Sequence, residues 1–84
     1  MIFNNIKDKL PTEEGQYLVI VNFMKRSFYE VAKFTSDLSK LNKHDSDLKG
    51  KPGFYGYEDD WGYFVHKDIV AWAELPEIPK EFRE

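Results

Sequence analysis

Three consecutive acids, Glu58-Asp59-Asp60, lie six positions before His66 and make the densest group of hard-cation donors in the 84-residue chain. Carboxylate oxygens suit Ca²⁺ or Mg²⁺, yet the run lacks the alternating Asp/Asn/Gly spacing of a dedicated calcium loop. A solvated hairpin tip accounts for the same acids and also discourages edge-to-edge aggregation, so no metal is assigned. A second group, His44-Asp45-Ser46-Asp47, sets an imidazole beside carboxylates and a hydroxyl. Nucleophilic catalysis needs a rigid nucleophile–base pair oriented by a third group, and the polar stretch around His44 promises no such frame. There is no cysteine, no Gly-rich phosphate cradle and no Gly-x-Ser-x-Gly elbow. Nothing in these residues argues for an enzyme, and no cofactor is expected.

Aromatic residues are the third candidate. From Phe54 to Phe64 six of eleven residues carry rings: Phe54, Tyr55, Tyr57, Trp61, Tyr63 and Phe64. Strand alternation puts Phe54, Gly56 and Glu58 on one face and Tyr55, Tyr57 and Asp59 on the other. On the returning arm Trp61, Tyr63 and Val65 oppose Gly62, Phe64 and His66. Tyr55, Tyr57, Trp61 and Tyr63 then share one amphipathic face, while Phe54 and Phe64 join Val19 and Val21 in the core. Three readings stay open. The rings build a small core; or they dock a protein, as Tyr and Trp do at interfaces; or they stack a base or nucleotide. Docking would recruit the tip acids Glu58, Asp59 and Asp60, which favour a basic partner surface through electrostatic steering. Base stacking normally comes with Arg or Lys for the phosphates, and only Lys67 lies close in sequence.

These residues need a frame, and the pattern of the chain suggests one. Gln16–Phe23 is β-branched and aromatic with apolar residues on both faces, which reads as a central strand. Met24–Ser27 is a short polar connection to a second strand, Phe28–Thr35. The acidic tip joins two further strands, and Ile69–Leu75 is the last. Trp72, between the small Ala71 and Ala73, belongs to the core. Leu75-Pro76 stops that strand, and Pro79 leaves residues 77–84 as an extended tail. Ser36–Pro52 has only Leu38, Leu41 and Leu48 as large apolar groups. It is either a polar loop or a short helix capped by Thr35 or Ser36. Met1–Pro11 is a lead-in carrying Phe3, Ile6 and Leu10. The expected fold is mainly β, one domain over 1–84. It is a small antiparallel sheet of four to five strands, flat or curled into a half-barrel, with at most one short helix. The alternative is α+β, should Ser36–Leu48 pack as a helix.

Seven Phe, five Tyr and two Trp supply a core for a chain without disulfides. The net charge of −3 is unevenly placed: residues 1–52 carry nine basic and seven acidic groups, residues 53–84 three and eight. An acidic chain argues against direct nucleic-acid binding. No apolar run is long enough to span a membrane, and the N-terminus lacks a signal-peptide core. A cytoplasmic protein is the simple expectation, with homodimerisation through an exposed strand edge left open.

Both ends of the chain resemble a known family. Phe3-Asn4-Asn5-Ile6-Lys7-Asp8-Lys9-Leu10-Pro11, followed by Glu13-Glu14-Gly15-Gln16-Tyr17-Leu18-Val19, is similar to the opening of a phage and prophage family, the domain of unknown function (DUF) 551. There an aromatic, a polar spacer and Leu-Pro precede a Val-rich strand. Ile69–Pro79, with Trp72 and Leu75-Pro76-Glu77-Ile78-Pro79, is similar to that family's ending. Ala71 stands where many relatives carry His before the Trp, and Phe3 where they often have Trp, so any chemistry depending on that His is missing here. The resemblance implies a mostly β accessory protein of a phage or mobile element, with no catalytic residues to carry over. The expected function is non-catalytic binding of a host protein with a basic surface in the host cytoplasm, including inhibition of host defence. The alternative is a nucleotide-signal binder with a pocket between subunits.

Overall fold

In the computed structural model, which describes residues 2–41 and 46–84, the run with apolar residues on both faces takes an interior place. It forms β2 (Gly15–Phe23), with β3 (Arg26–Thr35) on one side and β6 (Ile69–Glu74) on the other. Beyond β3 lie β4 (Gly53–Glu58) and β5 (Gly62–Val65), and beyond β6 lies β1 (Asn4–Asn5). All neighbours are antiparallel, and the sheet is open, running from β1 at one edge to β5 at the other.

The sheet therefore has six strands rather than the expected four to five. The extra one is β1, two residues of the lead-in that pair Asn4 with Trp72 and Asn5 with Ala71. A two-residue strand has no alternation to read; it exists because β6 offers it an edge. No α-helix occurs among the described residues. Helical structure is confined to 3-10 turns at Leu38–Lys40, Ser46–Leu48 and Lys80–Phe82. No helix here is long and apolar enough to cross a membrane.

Directly opposed residues share a face, and the register sorts the sheet into a buried side and an open side. Tyr17, Val19 and Val21 of β2 lie beside Ala32 and Phe34 of β3, Phe54 of β4, and Ile69 and Trp72 of β6, with Ile6 and Leu10 packed against them. Trp72 is core as expected, 4 % exposed, and its indole N–H donates to the Lys9 carbonyl at 2.8 Å. Tyr17 meets it edge-on at 5.2 Å and donates its hydroxyl to the Glu13 carbonyl at 2.7 Å. Burial, then the nearby Glu13 and Glu74 charges, pushes the Tyr17 phenol above its ordinary value.

Two connections depart from the sequence reading. The β2–β3 link is a two-residue turn, Met24-Lys25, because Arg26 and Ser27 already pair with Phe23 and Asn22. Ser27 supports that pairing by donating to Asn22 Oδ1 at 2.7 Å. After β3, the 3-10 turn at Leu38 is capped by Asp37 rather than Thr35 or Ser36. Asp37 Oδ1 accepts from the Ser39 hydroxyl, the Ser39 N–H and the Gly50 N–H at 2.7, 3.0 and 3.0 Å. Leu38 is buried so closely against Gly53 that a Cβ there would lie 2.7 Å from its Cδ1. Glu14, at the entry to β2, holds this segment by accepting from Thr35, Ser36 and Lys40. Past Pro76 the chain closes a further 3-10 turn, where Arg83 pairs with Glu77 at 2.7 Å.

Candidate protein-docking face

The β4–β5 hairpin sets Tyr55 opposite Val65 and Tyr57 opposite Tyr63, so the three tyrosines share a face. The Tyr63 ring lies 5.0 Å from Tyr57 and 5.9 Å from Tyr55, both near edge-on, an arrangement aromatic pairs favour. This is the open side of the sheet: Tyr57 and Tyr63 are 55 % and 54 % exposed. Phe54, on the opposite face, is buried against Phe34 at 5.2 Å. One strand thus divides its rings between core and solvent by alternation alone.

The tip is a tight turn in which the Trp61 N–H donates to the Glu58 carbonyl at 3.3 Å. Gly62, with φ at 75°, returns the chain into β5 in a conformation that other residues resist. Trp61 is 82 % exposed, standing out from the turn rather than lying on a strand face with the tyrosines. Glu58, Asp59 and Asp60 are exposed around it. The seven residues singled out from sequence therefore gather at one hairpin: Tyr55, Tyr57 and Tyr63 as a ring cluster, Trp61 and the three acids at its tip.

Two neighbours sit differently from expectation. Phe64 shares the face of Phe54 but is 37 % exposed. It lies on an edge strand with no further strand beyond to cover it, and its ring rests on Gly56, where a Cβ would fall 2.5 Å from Cζ. His66 does not join the tip acids. Its Nε2 lies 2.5 Å from Glu30 Oε2 on β3. Among the described residues no group of three His, Asp or Glu is placed to hold a metal ion. Of the His44-Asp45-Ser46-Asp47 group, His44 and Asp45 lie outside the described residues, while Ser46 and Asp47 open the 3-10 turn at Ser46–Leu48.

The open face is wider than the hairpin. Lys33 pairs with Tyr55, so the tyrosine side continues onto β3 through Val31 and Tyr29, both well exposed. Phe3 stacks on Tyr29 with centroids 5.9 Å apart. The alternation Tyr29, Val31, Lys33 was visible in the sequence, but which side of β3 adjoins the tyrosines depends on the β3–β4 register. That pairing covers only Lys33, Phe34 and Thr35. Above it the strands part around a cleft of about 220 Å³ lined by Glu30, Val31, Tyr55, Tyr57, Glu58 and Phe64. Chemically the region offers phenol and indole donors, carboxylate acceptors and apolar ring surface. That is what a protein contact uses.

No protein-family model matches the chain, and no curated protein or solved structure is found similar to it.

Proposed function

We propose that this chain is a small phage or mobile-element accessory protein that acts without catalysis, by binding a host protein through the β4–β5 hairpin. The observation that carries this reading is the exposure of Tyr57, Trp61 and Tyr63, each more than half open although the fold has a buried side available for rings. Large aromatic surface left in water favours association, and it is enriched at the centres of interfaces. The acids Glu58, Asp59 and Asp60 suit a partner with a basic surface, and their charge speeds encounter. The phage setting, the host cytoplasm and a role against host defence rest on the resemblance of the two chain ends to DUF 551.

The test is affinity capture from host lysate with the double variant Tyr57→Ala/Trp61→Ala. Both side chains lie outside the core, so the fold should survive and a specifically retained host protein should be lost. Retention of the same protein by the folded double variant rejects the reading.

A further inference from the structure

Among the described residues, β3 is paired on one side only for most of its length. β2 pairs with it from Arg26 to Phe34, whereas β4 reaches only Lys33, Phe34 and Thr35. The Met24-Lys25 turn is closed by Phe23 and Arg26, and in a two-residue hairpin the closing pair exchanges both backbone hydrogen bonds. Counting in twos, Phe28, Glu30 and Ala32 also bond to β2. Ser27, Tyr29 and Val31 therefore turn their N–H and C=O groups to the uncovered side. This stretch has no Pro and no bulge, and its Phe28, Tyr29 and Val31 side chains are exposed. Of the devices that normally keep an edge from pairing it has neither Pro nor bulge, only the charges of Arg26 and Glu30.

The turn leading into this edge is strained. Met24 and Lys25 both have positive φ, 51° and 63°, where hairpins of this type ordinarily place Asn-Gly. Such strain persists where the side chains have a use, and Met24 is 79 % exposed. Met24, Lys25 and Arg26 together make an apolar, basic tip. The cleft between β3 and β4 has the complementary character, with Tyr57 beside the acids Glu30 and Glu58.

We propose that two copies of the chain join β3 to β3, antiparallel about a two-fold axis at Phe28, each seating its Met24–Arg26 tip in the other's β3–β4 cleft. Every antiparallel pairing centred on a residue of this stretch keeps Ser27, Tyr29 and Val31 as bonding positions. Centring on Ser27 sets Glu30 against Met24 and centring on Glu30 sets two like charges face to face, which leaves Phe28 and Tyr29 to compare. Centring on Phe28 sets Arg26 opposite Glu30 of the second copy, twice, with Phe28 against its own counterpart. It also brings Met24 and Lys25 beside Val31 and Ala32 of the other copy, next to Tyr57 and Glu58. Centring on Tyr29 would set Arg26 against Ala32 and Glu30 against Phe28, with no charge matched. Opposite charges directly across a seam favour pairing and like charges oppose it. The Glu30 side chain, 47 % exposed beside His66, has room for the Arg26 guanidinium of the second copy. The seam is isologous and closes on itself. It also keeps the tyrosine faces of both copies on one side of the joined sheet.

Sedimentation and light scattering of the purified chain, from about 1 to 200 µM, span the affinities such a seam would have. The chain should sediment as a dimer at the upper end. Arg26→Glu and Glu30→Arg should each raise the dissociation constant about tenfold or more, and the two changes together should bring it back to within about threefold of the original. Tyr29→Pro removes an outward N–H without touching the ladder to β2, and should give folded monomer. His66→Asn, which leaves both charges of the seam in place, should remain dimeric. A monomer throughout the range, an assembly larger than two, a dimer indifferent to either charge reversal, or a double exchange no tighter than the single changes would each overturn the proposal. Capture of a host protein by the tyrosine face is read separately and does not depend on this result.

Discussion

His66 Nε2 lies 2.5 Å from the Glu30 carboxylate, which ties the end of β5 to β3 across the intervening β4. A carboxylate can only accept, so the ring nitrogen carries the proton. The tie passes where β4 has Gly56, whose missing side chain leaves room for the Phe64 ring. With β3 and β4 paired at only Lys33, Phe34 and Thr35, this contact restrains a hairpin that is otherwise loosely attached. His66→Ala should lower stability by about 1 kcal/mol, a small figure because Glu30 is half in water. Amide exchange should quicken within Gly53–Val65 and stay unchanged in β2 and β6. A uniform rise in exchange across all strands would refute the local role.

Trp72 anchors the buried side through two separable contributions, ring packing against Tyr17 and the indole bond to the Lys9 carbonyl. Trp72→Ala should cost about 3–5 kcal/mol, enough to unfold much of the population of so small a protein. Trp72→Phe keeps most of the apolar area and orphans the carbonyl, for about 1–2 kcal/mol. Thermal melts of the pair decide whether packing or the hydrogen bond dominates.

The Met24-Lys25 turn is a local cost in the free chain. Replacing it with Asn-Gly should stabilise the monomer by about 1–2 kcal/mol, since Gly takes positive φ without a Cβ penalty and Asn tolerates it. For a protein of this size the melting temperature should rise by about 4–8 °C per kcal/mol. If the tip seats in a second copy, the same change should weaken the dimer while strengthening the fold.

Acid should loosen the contacts that Glu14 makes with Thr35, Ser36 and Lys40 and that Asp37 makes with Ser39 and Gly50. Hydrogen bonding from Lys40, then Ser36, holds the Glu14 carboxyl below its ordinary 4.5. The Ser39 hydroxyl, then the Gly50 N–H, holds Asp37 below 3.8. Both groups bind protons more weakly in the fold than in the unfolded chain, so falling pH favours unfolding. Their contribution is complete above those ordinary values and disappears as pH drops through the lowered ones. Urea midpoints should be level from neutral pH down to about 5 and then decline. Glu14→Gln should flatten part of that decline. An unchanged decline would show that other carboxylates govern it.

Much of this architecture could be read from residue patterns because alternation is local. The two-sided run at Tyr17–Val21, the split of Phe54 from Tyr55 and Tyr57, and the stop at Leu75-Pro76 each need only neighbouring residues. What escaped reading depends on partners distant in the chain. Asn4 and Asn5 become a strand only because β6 accepts them. Phe64 looks like a core residue until β5 proves to be an edge. Tyr29 joins the tyrosine face only through the Lys33–Tyr55 register, and His66 meets Glu30 rather than the nearer acids. The Met24-Lys25 turn was hidden for another reason: neither residue type advertises positive φ.

The placement of the two indoles gives the chain a built-in pair of optical probes. Trp72, sealed beneath Tyr17, emits as a fluorophore in a dry setting and shifts to the red only when the fold is lost. Trp61, already in water at the hairpin tip, is blind to unfolding by comparison and shifts to the blue only when something covers it. Single Trp→Phe replacements would assign each emission, and a titration followed by colour would then separate docking from denaturation without any label.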